Sequence, residues 1–283
     1  MTEQTQTQTQ AQPTTDTDRP PAAPAPARPS RDRRVLRAVL RWTAVVAVFA
    51  AVGAGTAYGI TGMERTDVPG LATASDGRWA YPRITRPPLP AGRPASASVD
   101  NRAGAHYADL RRLLLPAPEG AREDQVLRGT DGWLPTKDFL ALFPARRDRQ
   151  EAGQLLTDYG LRHIAARGWT TGDGTRTRIY LLQFDTSTVA HTVYGEFSTF
   201  TGPAFATAGA PETRFDDTFP GNTFISGVAR YPYDEVKPYG VEQVRQAYLN
   251  AGDVMAVIVQ DRRDAAPAIP FRQTVVLESE LLA

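Results

Sequence analysis

The 283-residue sequence predicts an α+β fold: an antiparallel sheet with helices packed on it, preceded by one transmembrane helix and a disordered N-terminal tail. Three observations predict it. An uncharged apolar run, WTAVVAVFAAVGAGTAYGITGM, extends from Trp42 to Met63 between Arg41 and Glu64. As a helix it would be roughly 33 Å long, against about 30 Å for the hydrocarbon core of a bilayer. Before that run the chain is polar and repetitive. After it, apolar residues recur first with helical spacing and then with the two-residue period of strands. The elements read helix, helix, hairpin, helix, then strands and a last helix.

Composition narrows the classes. The formal net charge is +1, so no global field points to nucleic acid. The chain has no cysteine, which excludes disulfides, thiolate metal sites, thiol nucleophiles and a lipidated cysteine. About 180 residues follow the tail, the span and a linker, enough for one domain with a real core.

Residues 1–41 read as a disordered cytoplasmic tail, because TEQTQTQTQAQ and RPPAAPAPARP hold too little apolar surface to offset the entropy of ordering. A docking or phosphorylation tail carrying Thr5, Thr7, Thr14 and Thr15 is the alternative. The tail ends in Arg28, Arg31, Arg33, Arg34, Arg37 and Arg41, opposed only by Asp32, whereas Glu64, Arg65 and Asp67 nearly cancel on the other flank. The positive-inside rule then puts the N-terminus in the cytoplasm and the C-terminal domain outside the cell. Contact of these arginines with anionic headgroups is the alternative.

Residues 42–63 read as an uncleaved single-pass anchor. Gly55-Thr56-Ala57 is a weak cleavage site and Arg33-Arg34 a weak twin-arginine signal, but the tail and span exceed the usual dimensions of a secretory signal. Small residues at every fourth position, Thr43, Ala47, Ala51, Gly55 and Gly59, form one helical stripe with a G-x-x-x-G spacing. That stripe is a candidate surface for a homodimer within the membrane.

Residues 64–102, with RPPLPAGRPASAS, read as a Pro-rich stalk in which Trp79 and Tyr81 pack locally. The extracytoplasmic domain is expected over residues 103–283. Ala105–Leu115 reads as a helix ending before Pro116, and Thr136 as the N-cap of a short helix carrying Phe139, Leu140 and Phe143. Ala145–Tyr159 reads as a helix with Gly160 just past its end. Leu161–Thr171 and Thr175–Phe184 flank Gly172-Asp173-Gly174 and predict a hairpin. Asp185 or Ser187 would cap the helix that follows, with Val189, Val193, Phe197 and Phe200 on one side.

Phe224–Tyr231 reads as a strand, followed by turns at Tyr231-Pro232-Tyr233 and Pro238-Tyr239-Gly240. Val241–Asn250 fits either a helix or a strand, and the turn at Asn250–Asp253 favours a strand. VMAVIVQ, Val254–Gln260, is the strand most suited to burial on both faces. Pro270 would open a final helix, Phe271–Leu282. The two strand-pair-then-helix units, Leu161–Phe200 and Val244–Leu282, suggest a loose repeat with the helices on one face of the sheet.

No catalytic motif stands out: there is no G-x-S-x-G, S-x-x-K, H-E-x-x-H, P-loop or G-x-G-x-x-G. His106, His163 and His191 lack ligand spacing, and neither Asp173 nor Asp216-Asp217 makes a calcium loop, so no metal and no cofactor are expected. Tyr231, Tyr233 and Tyr239 form the candidate recognition surface, since tyrosine offers large contact area at low entropic cost. Packing of those rings onto the sheet is the competing reading.

The stretch YGLRHIAARGWTTGDGTRTRIYLLQF, with AGDVMAVIVQ and PFRQTVVLESELL, resembles uncharacterised membrane-anchored or secreted proteins of actinomycetes. It is more distantly similar to the extracytoplasmic sensor-type domains of mycobacterial receptor kinases. The near-exclusive use of Arg over Lys, with only Lys137 and Lys237, fits such a high-GC source. Two departures stand out: no kinase-like sequence precedes the span, and the cysteines that staple some of those sensors are absent. The resemblance implies a place in the cell envelope and assigns no functional residue. The expected function is therefore a membrane-tethered extracytoplasmic binding or interaction module, its partner an unidentified envelope protein or ligand. The alternative is an envelope-acting hydrolase built on Ser198 or Ser226, His191 and Asp185.

Overall fold

The strands RTRIYLLQ and VMAVIVQDRR carry apolar side chains on both faces, and a sheet position buried on both sides is where such strands are stable. The computed structural model, which describes residues 33–61, 75–237 and 240–283, places them side by side at the centre of one antiparallel sheet. In chain order its elements are α1 (Arg33–Thr61), β1 (Arg122–Glu123), α2 (Thr136–Leu140), α3 (Arg146–Asp158), β2 (His163–Thr170), β3 (Arg176–Gln183), α4 (Ser187–Phe197), β4 (Thr213–Phe215), β5 (Val228–Glu235), β6 (Glu242–Ala251), β7 (Val254–Arg263) and α5 (Ala268–Leu282). The seven strands run in the order β1-β2-β3-β7-β6-β5-β4. The fold is α+β, as its periodicity predicts.

Residues 1–73 and 74–283 are separate units. In the first, α1 contains Val35–Thr56, a stretch of mean hydropathy 1.9 that is long and apolar enough to cross a membrane. The helix begins at Arg33, so part of the arginine cluster is helical and not tail. Its threonines turn inward on themselves: the Thr43 and Thr56 hydroxyls donate to the carbonyls of Val39 and Val52, four residues back. That satisfies each hydroxyl without a partner outside the helix.

In the second unit the sheet carries a core on each face. Tyr180, Leu182, Met255, Val257 and Tyr248 meet α2, α3 and α4, with Phe139, Phe143, Val193 and Phe197 filling the layer. Ile179, Leu181, Ala256, Ile258 and Leu249 point the other way, to Phe271, Val275 and Leu281 of α5. The helices therefore lie on both faces, and the expectation that α4 and α5 share one face is overturned. Alternation along β3 and β7 demands a cover on each side, and the two helices divide that task.

Several local readings shift. Ala105–Leu115 is not a helix, and only Leu110–Arg112 form a single 3₁₀ turn, capped by the Asp109 carboxylate accepting from the Arg111 N–H. Leu113, Leu114 and Leu115 are all buried in succession, which a helical stripe could not achieve. Thr136 is the first residue of α2, not its cap, and the cap of α4 is Thr186, whose hydroxyl accepts from Val189 N–H. Pro270 is the third residue of α5.

β5 runs from Val228 through Pro232 instead of ending at Tyr231. The Pro232 carbonyl accepts from Asp216 on the edge side, and a strand residue points its N and C=O to the same side. The missing N–H thus removes no bond to β6.

The segment read as a stalk is, from residue 75 on, a strap lying on the α5 side of the sheet. The Gln273 side chain accepts from Trp79 N–H at 2.8 Å and donates to the Trp79 carbonyl at 2.9 Å. The Tyr81 hydroxyl lies 3.0 Å from that of Thr274, and Arg86 donates to the Glu280 carbonyl. Proline suits such a strap because it brings no N–H that burial would leave unpaired. The strap ends where Gly104 meets the β6–β7 turn. Gly252 there has φ +50°, and a Cβ would lie 2.2 Å from the Gly104 carbonyl oxygen, so only glycine fits.

Candidate functional site

The candidate tyrosines separate on folding. Tyr233 is fully buried in β5 and donates its hydroxyl hydrogen to the Thr199 carbonyl. Burial raises its pKa further than the charge of any neighbour does. Tyr231, two residues earlier on the same face, is half-buried at the rim. Its ring stacks on Tyr194 of α4 at 5.3 Å with 5° between planes, and meets Phe215 edge-on at 6.4 Å. Phe215 packs 4.9 Å from Phe200, which is 67% exposed. On the far side His191 stacks against Tyr194 at 6.2 Å. The result is one aromatic row with Phe200 at its open end. Tyr239 lies outside the described residues. Of the small-residue stripe, Thr43, Ala47, Ala51, Gly55 and Gly59 all fall on α1, and a Cβ at Gly55 would meet nothing within 4 Å.

Three of the hydrolase residues, His191, Asp185 and Ser198, are held by other partners. His191 Nδ1 lies 3.2 Å from Asn250 Oδ1, Asp185 pairs with Arg162 at 3.5 Å, and the buried Ser198 hydroxyl donates to the Tyr194 carbonyl. The arrangement missed by sequence reading is His106 with Asp253. Nδ1 is 2.6 Å from Asp253 Oδ1 and Nε2 is 2.8 Å from the Leu282 carbonyl, with both side chains buried. Gln183 and the His106 N–H complete the carboxylate's partners. With both ring nitrogens committed, this pair ties the strap, the β6–β7 turn and the end of α5 together. His163, expected to pack, lies 4.6 Å from the Trp133 ring. Among the described residues no group of three His, Asp or Glu is placed to hold a metal.

Two of the surface depressions bear on a binding site. One, of about 380 Å³, runs along the outer face of α5 between Ile269, Val276, Leu277 and Phe219, with Arg78 and Arg272 at its rim. The other, of about 550 Å³, lies where β2 is not covered by the short β1, and it is lined by Arg111, Arg112, Arg128 and Arg167 with Asp131. Arg111 is pinned: it makes a forked pair with Asp109, donates to the Asp131 carbonyl and lies over the Trp133 ring at 4.9 Å. Arg128 reaches Glu123 only at 3.8 Å. Arg167 rises from β2 and donates to the carbonyls of Leu114 and Leu115 at 3.1 and 3.2 Å. Burial lowers its pKa; the Glu123 charge opposes that, the Arg128 charge adds to it, and Glu278 opposes it less strongly. The Arg112 backbone N–H donates to the Asp109 carbonyl at 2.9 Å, and its guanidinium has no hydrogen bond and no ion pair among the described residues.

Behind Arg167, Glu278 of α5 is fully buried. One carboxyl oxygen accepts from Leu115 N–H at 2.8 Å and the other has no partner. Burial pushes its pKa up to about 8, against the Leu115 hydrogen bond and the Arg167 charge. Local sequence patterns do not reveal this site. Its four arginines come from a 3₁₀ turn, a loop and a strand, and Arg111-Arg112 lie in a stretch whose spacing predicts a helix that does not form.

No protein-family model and no curated protein matches the chain. Among solved structures it is similar to the extracellular domain of PknH from Mycobacterium tuberculosis, with a TM-score of 0.35 and 10% identity, over 60% of this chain and 92% of that one. A likeness that distant transfers no residue, ligand or partner.

Proposed function

We propose that the protein is a membrane-tethered, extracytoplasmic binding module of the cell envelope, anchored by α1 with its N-terminus inside. The observation that carries this reading is α1 itself. Its Val35–Thr56 stretch is apolar, its side chains are exposed, and basic residues crowd only its N-terminal flank. Exposed apolar surface of that extent is stable in lipid and not in water. The arginine asymmetry supports the orientation. What the module presents is a sheet whose rim carries the aromatic row and the arginine-lined depression.

The absence of cysteine makes the test simple. Single cysteines are introduced at Val126, 87% exposed, and at Ser30 in the tail, and intact bacterial cells are treated with a membrane-impermeant maleimide. Val126→Cys is expected to label in intact cells, and Ser30→Cys only after permeabilisation. The opposite pattern would overturn the orientation. Recovery of the Val126→Cys protein in the soluble fraction, lacking its tail, would show a cleaved signal in place of an anchor.

A further inference from the structure

We propose that the depression between the 3₁₀ turn, the Arg128 loop and β2 is a binding site for a phosphate-class oxyanion, held chiefly by Arg112 and Arg167. This rests on the reading of the protein as a binding module and names the chemistry of its ligand. Four guanidinium groups line one cavity of about 550 Å³. Three carboxylates stand against them. Asp109 is consumed by Arg111 at 2.9 Å, and Glu123 lies 3.8 Å from Arg128. Asp131 offers its carbonyl, and not its carboxylate, to Arg111. Arg112 and Arg167 are left with no carboxylate within ion-pair distance.

Arg167 is the telling member. Its side chain is partly buried, and a buried guanidinium ordinarily takes a carboxylate partner. Here it has two backbone carbonyls; the Glu123 charge favours it without reaching ion-pair distance, and Glu278 behind it is held neutral by burial below about pH 8. A charge kept in that position with like charges beside it is stabilised by an anion entering from the open side. Guanidinium forks match the paired oxygens of phosphate, and an ion held by several of them gains charge-assisted hydrogen bonds. Arg111, fixed by Asp109 and Trp133, forms a rigid wall, while Arg112 and Arg128 are exposed and able to close on the ligand.

The cavity exceeds a single phosphate, so the group is expected to belong to a larger molecule, a soluble phosphate ester or a lipid headgroup. Full-length protein in phosphatidylcholine nanodiscs is titrated with inorganic pyrophosphate and, separately, with monomeric dihexanoyl phosphatidic acid, followed by calorimetry. Saturable binding of either, weakened about tenfold or more in Arg112→Gln, is expected, since one charged hydrogen-bonding partner is lost. Tighter binding of pyrophosphate assigns a soluble source, and tighter binding of the lipid a headgroup source.

The Arg112 side chain is exposed and unbonded, so its substitution leaves the fold intact, whereas Arg167→Gln also removes two hydrogen bonds to the Leu114 and Leu115 carbonyls. If Arg167→Gln fails to fold, Arg112→Gln and Arg128→Gln carry the test alone. No binding of either probe by folded wild-type protein would overturn the proposal, as would equal affinity in the Arg112 variant. Both results are independent of membrane orientation, which the maleimide experiment reads separately.

Discussion

Glu278→Gln is the perturbation with the largest expected consequence for stability. In the native protein the carboxyl is completely buried between α5 and the sheet, with Leu115 N–H as its one donor. Its pKa rises from 4.5 to about 8, because burial disfavours the charged form more than the Leu115 bond and Arg167 favour it. The folded state therefore holds a proton that the unfolded chain releases above pH 4.5. Stability from this group is fully present below pH 4.5 and is lost as pH rises through about 8. At 1.36 kcal/mol per pH unit, the loss across that window is roughly 5 kcal/mol.

Glutamine keeps the acceptor for Leu115 but titrates nowhere. It adds an amide group without a partner, at about 1–3 kcal/mol. Glu278→Gln is thus expected to be slightly less stable than wild type near pH 5 and more stable near pH 8.5. Urea unfolding followed by tryptophan fluorescence, at intervals of half a pH unit, reads the difference. Asp109 and Asp173 act in a different window. The Arg111 hydrogen bonds hold the first carboxyl below its usual value, and threonine hydrogen bonds with Arg262 overcome burial to do the same for the second. Stability curves that run parallel from pH 5 to 8.5 would refute the assignment of Glu278 as a neutral buried acid.

His106→Ala, which removes both ring contacts and leaves Asp253 buried, should lower the unfolding free energy by about 3 kcal/mol in the same assay. His106→Gln should recover part of that loss by restoring one bond. Tyr233→Ala should cost about 3–5 kcal/mol through the cavity it opens, whereas Tyr231→Ala at the rim should cost about 1 kcal/mol, mainly the stack on Tyr194. Equal losses for the two would contradict their different burial. Gly55→Ile should reduce self-association of the span in a membrane reporter, since the stripe admits close helix approach only while it is small. Unchanged association would remove that face as a dimer contact.

The elements legible in advance were those whose evidence is local. Gly172-Asp173-Gly174 between two alternating runs specifies the β2–β3 hairpin, and the structure pairs Thr170 with Arg176 across it. VMAVIVQ is apolar at every other position on both faces and sits at the middle of the sheet as β7. The ambiguous Val241–Asn250 became β6 because Asn250–Asp253 turns it back onto β7. Ala105–Leu115 failed for the opposite reason. Its helical spacing was outweighed by the burial available to three successive leucines under the strap, a gain that exists only once α5 and the sheet are in place.

The candidate site divides the same way. Tyr231 and Tyr233 read as flanking a turn at Pro232; the structure places both on one face of β5, and the depth of the neighbouring α4 decides that one is rim and the other core. Arg112, Arg128 and Arg167 are remote along the chain, and no period or motif joins them. By itself the sequence determined where an apolar helix lies, which of its flanks is basic, and which strands must be covered on two faces. Those properties depend on composition and on spacing over a few residues. Tertiary structure decided that the helices divide between the faces and that the Pro-rich segment is a strap. It also left Glu278 buried as an acid behind an arginine without a carboxylate partner. Such outcomes depend on which distant residues exclude water from one another, and that is settled only when the chain closes on itself.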